Sequence, residues 1–225
     1  MVRALVLPSP LLPALAYAEL ADALTRAGWS ARVAAADLGE GEGAGDLVQR
    51  WAGEVGLSDV LVAHSNAGYL APLVRETTGL DVPLVAMDAA LPPAEGRYAL
   101  APPALRDMLA ALADADGLLP PWTRWWPSGA LDDVVPADRL AELDAACPRL
   151  PVAYVDETFE APKGWATRPS AYLAFGQTYA EEIEAARSWD WPVRVLEGAH
   201  LHHLHAPDEV AAAVVALATP FVPPG

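Results

Sequence analysis

The feature of this chain that most constrains its fold is a regular alternation of short apolar runs with longer amphipathic stretches. The runs that predict strands are residues 3–7, 30–35, 59–63, 82–87, 170–175 and 192–197. The stretches that predict helices are residues 17–27, 46–55, 66 to about 78, about 179–187 and 206–218. A strand–helix–strand repeat predicts an α/β fold, a mostly parallel, doubly wound sheet of about six strands with helices on both faces.

The alternation is interrupted between residues 91 and 150, a segment rich in proline. Within it, helices are predicted over residues 103–114 and 137–146. The segment is too long to be a simple loop in a compact domain. We therefore expect residues 1–90 and 151–225 to form the core and residues 91–150 to form a helical lid.

Composition excludes several classes of partner and site. The chain has 225 residues, 53% of them apolar, which is enough for one large core. Its net charge of −16 argues against nucleic acid or an anionic membrane surface as a partner. The single cysteine, Cys147, excludes an intramolecular disulfide framework and fits a reducing compartment.

The N-terminus superficially resembles a secretion signal, since Arg3 precedes an apolar stretch and a small-x-small tripeptide. However, Pro8, Pro10 and Pro13 interrupt that stretch. Cleavage would also remove the first predicted strand. We therefore expect a cytoplasmic protein, and no apolar run has the length of about 18 residues that a membrane helix needs.

The sequence LVAHSNAGYL predicts a strand that turns sharply into a helix with Ser65 at the corner. A nucleophile on such a turn needs small residues two positions before and after it, usually glycine. Here these positions hold Ala63 and Ala67, with Gly68 just beyond. Two interpretations stay open, because a serine is also a common cap at the start of a helix.

Near the C-terminus, LEGAHLHHLHAPDEVAAAV predicts a strand, a turn that ends at His200, and a helix led by Pro207. Together with the Ser65 corner, this layout resembles the α/β-hydrolase superfamily over nearly the whole chain, and its compact esterase and hydroxynitrile-lyase branch in particular. The resemblance implies that Ser65 is the nucleophile and His200 the base. The chemistry agrees, because a hydroxyl becomes a good nucleophile when an adjacent imidazole takes its proton.

Four histidines cluster in this segment: His200, His202, His203 and His205. They do not lie four residues apart on one helical face, and no carboxylate or thiolate completes a ligand pattern. We therefore expect no metal and no other cofactor. His64, beside the serine, is expected to pack against the sheet.

The resemblance also implies an acid that orients the imidazole, usually in the loop after the penultimate strand. That loop, residues 175–179, contains no carboxylate, and Thr178 or Tyr179 occupies the position. Asp88, just past the strand at 82–87, is the candidate replacement. The alternatives are that Asp88 only bonds local backbone, or that a serine–histidine dyad acts without an acid.

The oxyanion hole is incomplete in sequence. One donor is the backbone N–H of Asn66, the residue after the nucleophile. The other normally comes from the loop after the first strand, where Pro10 falls on the donor position and has no N–H. The N–H of Leu11 or the hydroxyl of Ser9 is the candidate substitute.

The predicted lid carries the cluster LPPWTRWWP, with Trp122, Trp125 and Trp126. These side chains either line an apolar pocket over Ser65 or fix the lid to the body of the protein. In the first case they favour a small hydrophobic substrate, aromatic ones included.

Three functions remain open at this stage, because a fold alone does not choose among them. The first is hydrolysis of a small apolar ester, lactone or thioester by Ser65 and His200. The second is a lyase, cyclase or epimerase reaction on the same scaffold, which the missing acid and Pro10 favour. The third is a binding protein with a degenerate site, against which the retained serine and histidine argue.

Overall fold

The computed structural model describes residues 1–222 of the chain. Its strands are β1 (Arg3–Leu7), β2 (Ser30–Val33), β3 (Val60–Ser65), β4 (Leu84–Ala89), β5 (Arg97–Ala99), β6 (Thr158–Glu160), β7 (Ser170–Phe175) and β8 (Val193–Leu196). Its helices are α1 (Ala18–Arg26), α2 (Ala44–Val55), α3 (Ala67–Thr78), α4 (Pro103–Leu112), α5 (Leu140–Ala146), α6 (Ala153–Asp156), α7 (Ala180–Ser188), α8 (His202–His205) and α9 (Pro207–Ala218). Short 3₁₀ helices lie at Ala14–Tyr17, Trp122–Arg124 and Trp165–Thr167.

Six of these strands form one parallel sheet in the order β2-β1-β3-β4-β7-β8. Every residue of the central strands β3, β4 and β7 is buried. Burial on both faces explains why these strands are apolar runs without alternation, as is usual for parallel sheets covered by helices. The predicted α/β architecture with about six strands is therefore confirmed.

Helices α2 and α3 pack against each other, as do α1 and α9. These two pairs flank the sheet and close the main core. The carboxyl ends of the parallel strands lie at one edge of the sheet, which is where ligands bind in open α/β folds.

The chain leaves the sheet after β4 and returns to it at β7, and the segment between them, residues 90–169, is called the excursion. Between them lie the helices α4, α5 and α6 and an antiparallel pair, β5 with β6, in which Tyr98 lies opposite Phe159. This pair joins the beginning of the excursion to its end. Each of its strands has three residues, which is too short for a recognisable alternation, and the sequence analysis did not predict them.

No helix within residues 1–222 combines the length and the apolar character that crossing a membrane requires.

Candidate active site

The corner at Ser65 is built where β3 meets α3. Ser65 is the last residue of β3, Asn66 is the N-cap of α3, and the pairing of β3 with β4 shifts register at this point. Ser65 has φ 57°, in the left-handed region that non-glycine residues rarely adopt. Strained residues of this kind are concentrated at functional sites, because the surrounding structure must hold them in place.

The position that requires glycine at this corner is residue 68. A Cβ atom there would lie 2.1 Å from the carbonyl oxygen of Ala90 and 2.8 Å from the Cβ of Ala89. The end of β4 therefore approaches the first turn of α3 too closely for any side chain. Ala63 and Ala67, at the positions where glycine is usual, are both fully buried.

Three side chains from distant parts of the sequence meet at this edge of the sheet. The Oγ of Ser65 lies 3.0 Å from Nε2 of His200, and Nδ1 of His200 lies 2.7 Å from Oδ2 of Asp88. A carboxylate only accepts hydrogen bonds, so Nδ1 carries the hydrogen and Nε2 is free to accept the Ser65 proton. This is the geometry in which an imidazole acts as a general base toward a hydroxyl.

Asp88 is held rigidly at the end of β4. It is fully buried, has φ 41°, and its Oδ1 accepts the backbone N–H of Phe175 at 2.9 Å. The hydroxyl of Tyr172 donates to the carbonyl of the next residue, Ala89, at 2.7 Å and accepts its N–H at 3.1 Å. Asp88 thus bonds the backbone of Phe175 at the end of β7 and the ring of His200 at the same time, one oxygen for each.

A second buried chain of hydrogen bonds runs behind the triad. The N–H of Ser9 donates to the hydroxyl of Tyr17 at 2.8 Å, and that hydroxyl lies 2.8 Å from Nδ1 of His64. The Nε2 of His64 lies 3.0 Å from the carbonyl oxygen of His200. A carbonyl only accepts, so Nε2 carries the hydrogen, Nδ1 accepts from Tyr17, and every group in the chain is satisfied by neutral His64.

His64 therefore does more than pack against the sheet, which was its expected role. Its ring stacks on that of His200 with centroids 4.8 Å apart. Burial, followed by the nearby His200 and His203, lowers the pKa of His64 well below its usual value. A neutral His64 links the loop after β1 to the backbone of the triad histidine.

The other histidines of the C-terminal cluster have separate environments. His203 is buried and stacks on Tyr17, with ring centroids 5.2 Å apart. His202 lies 3.2 Å from Glu209, and His205 lies 3.2 Å from the carbonyl oxygen of Val134. Of the four, His200 is the one that reaches Ser65.

The two candidate oxyanion donors, the N–H groups of Asn66 and Leu11, differ in their surroundings. The N–H of Asn66 is at the start of α3, where the positive end of the helix dipole favours negative charge. Leu11, rather than Pro10, lines the cavity next to Ser65. The Leu11 N–H makes only a long bond, 3.4 Å, to the hydroxyl of Ser9, so both candidate substitutes are engaged with each other.

The side chain of Asn66 ties the corner to the excursion. Its Nδ2 donates to the carbonyl of Leu100 at 2.7 Å, and its Oδ1 accepts from the hydroxyl of Tyr154 at 2.7 Å. Both bonds are buried. The backbone of Asn66, next to Ser65, is thereby held in place by residues of the segment between β4 and β7.

A cavity of about 370 Å³ opens over Ser65 and His200. All three tryptophans of the cluster line it, and aliphatic residues from the same excursion complete the wall: Leu100, Pro102, Leu105, Leu131 and Val134. Trp122 also lies beside His200, with ring centroids 6.2 Å apart. The size and apolar character of this cavity suit a small organic molecule.

Two residues at the start of α7 add polar groups to this wall, Tyr179 and Glu182. The Tyr179 ring packs against His200, with centroids 5.5 Å apart. Burial raises the pKa of the Tyr179 hydroxyl, and interaction with the Ser65 hydroxyl partly offsets that increase. Sequence analysis identified Tyr179 only as the occupant of the usual acid position.

Comparisons with known proteins agree with this architecture. No protein-family model matches the sequence, and no curated protein matches it. Solved structures do match. An extracellular α/β-hydrolase from a Paenibacillus species, described as sharing structural and functional homology with tobacco salicylic acid binding protein 2, has a TM-score of 0.78 at 16% identity, covering 96% of this chain and 99% of that one.

Two further solved structures have the same overall form. A variant of tomato methylketone synthase I complexed with beta-ketoheptanoate gives a TM-score of 0.67 at 13% identity, with 98% of each chain covered. A thermophilic esterase from Thermogutta terrifontis gives 0.63 at 15% identity, covering 99% of this chain and 91% of that one. At these identities the likeness establishes the fold, and the expected α/β-hydrolase resemblance is confirmed at that level.

Proposed function

We propose that this chain, which has the α/β-hydrolase fold, hydrolyses a small apolar ester, lactone or thioester through an acyl intermediate on Ser65. The observation that carries the proposal is the continuous hydrogen-bonded chain from Asp88 through His200 to Ser65, which ends in an apolar cavity. The solved α/β-hydrolases of similar fold support the same class of enzyme.

In the first half of the proposed reaction, Ser65 Oγ attacks the substrate carbonyl carbon while Nε2 of His200 takes its proton. The resulting imidazolium is stabilised by Asp88, and the developing oxyanion accepts hydrogen bonds from the N–H groups of Asn66 and Leu11. The tetrahedral intermediate then collapses. His200 returns the proton to the departing alcohol or thiol, and the acyl group stays on Ser65.

In the second half, a water molecule attacks the acyl carbonyl and gives a proton to His200. Collapse of the second tetrahedral intermediate releases the carboxylic acid, and His200 returns the proton to Ser65. The apolar wall formed by the tryptophans binds the hydrophobic part of the substrate. Because that wall also excludes water, it strengthens the electrostatic interactions at the reacting carbonyl.

Labelling with a fluorophosphonate, which phosphonylates activated serine hydroxyls, tests the proposal. We expect one probe per chain, attached to Ser65 by peptide mass mapping, and no attachment to folded Ser65→Ala or His200→Ala. His202→Gln is the matched control, because His202 pairs with Glu209 away from the nucleophile. A folded wild-type protein that takes up no probe at Ser65 would rule out an activated serine.

One observation favours a second function, a lyase, cyclase or epimerase reaction in the same cavity. The Leu11 N–H already contacts the Ser9 hydroxyl, which weakens the oxyanion hole. In such a reaction His200 moves a proton on the substrate and no acyl intermediate forms. Substrate conversion that survives Ser65→Ala but is lost in His200→Ala would identify this function.

A further inference from the structure

The cavity over Ser65 contains one carboxylate, that of Glu182. Among the described residues that line the cavity, neither lysine nor arginine is present, and His200 is committed to Asp88 and Ser65. Glu182 lies three residues after Tyr179, so both side chains project from the same face at the beginning of α7. Tyr179 contacts His200, and Glu182 lines the same cavity as both of them.

Glu182 combines partial burial with the lack of a basic partner in the described part of the chain. Within residues 1–222, none of the salt bridges engages it, although arginines pair with many other carboxylates. It is only partly exposed. Its burial raises the pKa of the carboxyl, its own backbone N–H lowers that pKa, and the charges of Glu181 and Asp88 raise it.

A partly buried carboxylate without a partner is unfavourable, and a ligand that supplies a cation or a donor removes that cost. The same negative charge repels anionic ligands. Tyr69, Tyr179 and Trp122 also line the cavity, and the faces of aromatic rings attract cations. The wall therefore combines a hydrophobic region with a single acidic position.

We propose that Glu182 is a specificity-determining residue that binds an ammonium group on the substrate, so that the natural substrate is a hydrophobic ester, lactone or thioester carrying an amine. The inference rests on the proposed hydrolytic function for its reaction type. The expected substrate has three parts: an apolar body, a carbonyl group placed at Ser65, and a protonated amine directed toward α7.

Matched substrates test the preference. The para-nitrophenyl esters of para-(aminomethyl)phenylacetic acid and para-ethylphenylacetic acid have the same shape. The first carries an ammonium group where the second carries a methyl group. The acetate esters of para-(aminomethyl)phenol and para-ethylphenol make the same comparison on the alcohol side. The measured quantity is the ratio of kcat/KM for amine and ethyl substrates, after subtraction of uncatalysed hydrolysis.

In at least one pair, we expect Glu182→Gln to lower this ratio about tenfold, the size expected for loss of a hydrogen bond between charged groups. Glu181→Gln is the matched control. It removes the same charge from the neighbouring residue, which is exposed and does not line the cavity, and it should leave the ratio within twofold of wild type. Equal ratios in wild type and Glu182→Gln for both pairs would overturn the inference.

Acidification gives an independent signature. The amine preference should decline as the pH falls through the Glu182 pKa, beginning at higher pH than for an exposed glutamate. Any effect of pH on the reaction step itself cancels in the ratio, because both substrates undergo the same reaction.

A binding measurement separates this inference from the proposed hydrolysis. In Ser65→Ala, the corresponding amides, para-(aminomethyl)phenylacetamide and para-ethylphenylacetamide, are titrated while the fluorescence of the cavity tryptophans is followed. If Ser65→Ala binds the amine more tightly than the ethyl compound, and the double variant Ser65→Ala/Glu182→Gln does not, the inference is supported even if no ester is hydrolysed. Hydrolysis of esters without any amine preference in turnover or binding supports the function and refutes the inference.

Discussion

The imidazole of His64 donates a hydrogen bond from Nε2 to the backbone carbonyl of His200, over 3.0 Å. Through Tyr17, the same ring is connected to the backbone of Ser9 in the loop after β1, which contains Leu11, one of the two candidate oxyanion donors. One neutral side chain therefore contacts both the backbone of His200 and, through Tyr17, the loop after β1. His64 does not line the cavity over Ser65, so in the proposed reaction we expect it to act as a positioning residue.

Replacing His64 by phenylalanine should impair both stability and catalysis. The change keeps an aromatic ring but removes the acceptor of the Tyr17 hydroxyl hydrogen and the donor to the His200 carbonyl, at about 1–3 kcal/mol for each group. We expect a lower midpoint in urea unfolding and a lower kcat with a smaller change in KM. His64→Gln, which can restore one of the bonds, should recover part of kcat. If kcat per folded enzyme is the same in wild type and His64→Phe, His64 has no positioning role.

Acid should destabilise the fold through its buried histidines. Burial lowers the pKa of His64 well below 6.5 and that of His203 to about 3. The unfolded chain therefore takes up protons below pH 6.5 that the folded chain does not, so this contribution is complete above that pH and is lost as the pH falls. Each histidine lowers the free energy of unfolding by about 1.4 kcal/mol per pH unit in this range.

The variant His203→Phe separates the acid destabilisation caused by this histidine from that caused by carboxylates. His203→Phe retains the stack on Tyr17 but has no ionisable group, so urea unfolding at several pH values should show a shallower acid slope than wild type. His205→Gln changes an exposed histidine and should keep the wild-type slope. Parallel slopes for wild type and His203→Phe would mean that His203 is protonated in the folded state.

The sheet could be predicted from the sequence because its central strands are buried on both faces and therefore appear as uninterrupted apolar runs. The prediction for residues 170–175 coincides with β7. The prediction for β4 stopped at residue 87, whereas the strand runs from Leu84 to Ala89 and ends beyond Asp88. An aspartate with φ 41° has no sequence signature that distinguishes it from an aspartate in a turn.

The candidate site was harder to predict wherever it depends on contacts between distant segments. Asp88 and His200 are 112 residues apart, and no local pattern indicates which carboxylate reaches the imidazole. Tyr17 and Tyr154 were missed for the same reason, since a buried tyrosine in a helix gives no indication of its hydrogen-bond partner. The motif at Ser65 was informative because the strain and the close packing there are local.

Asp88→Asn should abolish most activity without unfolding the protein. The amide oxygen can still accept the Phe175 N–H, so the end of β4 is retained. The amide nitrogen would then donate to His200 Nδ1, which shifts the imidazole hydrogen to Nε2 and prevents it from accepting the Ser65 proton. We expect kcat to fall by up to about 10⁴-fold with a nearly unchanged thermal midpoint.

Asp190→Asn, at another aspartate with positive φ, is the control. Comparable activity in Asp88→Asn and wild type would exclude Asp88 as the acid.

Gly68 belongs to the sequence motif around Ser65 and also lies at the contact between α3 and the end of β4. A Cβ at this position would overlap the Ala90 carbonyl oxygen at 2.1 Å, so Gly68→Ala must displace either α3 or the end of β4. Ser65 lies two residues before α3 and Asp88 lies in β4. The displacement should therefore separate Ser65, His200 and Asp88 as well as destabilise the fold by several kcal/mol, as overpacking in a core does. Circular dichroism melting and fluorophosphonate labelling measure the two effects. Gly53→Ala is the matched control: its Cβ meets no atom within 4 Å, and in the last turn of α2 it should be neutral or stabilising by up to about 1 kcal/mol. A Gly68→Ala protein that melts and labels like Gly53→Ala would show that the contact between β4 and α3 is not what fixes the nucleophile.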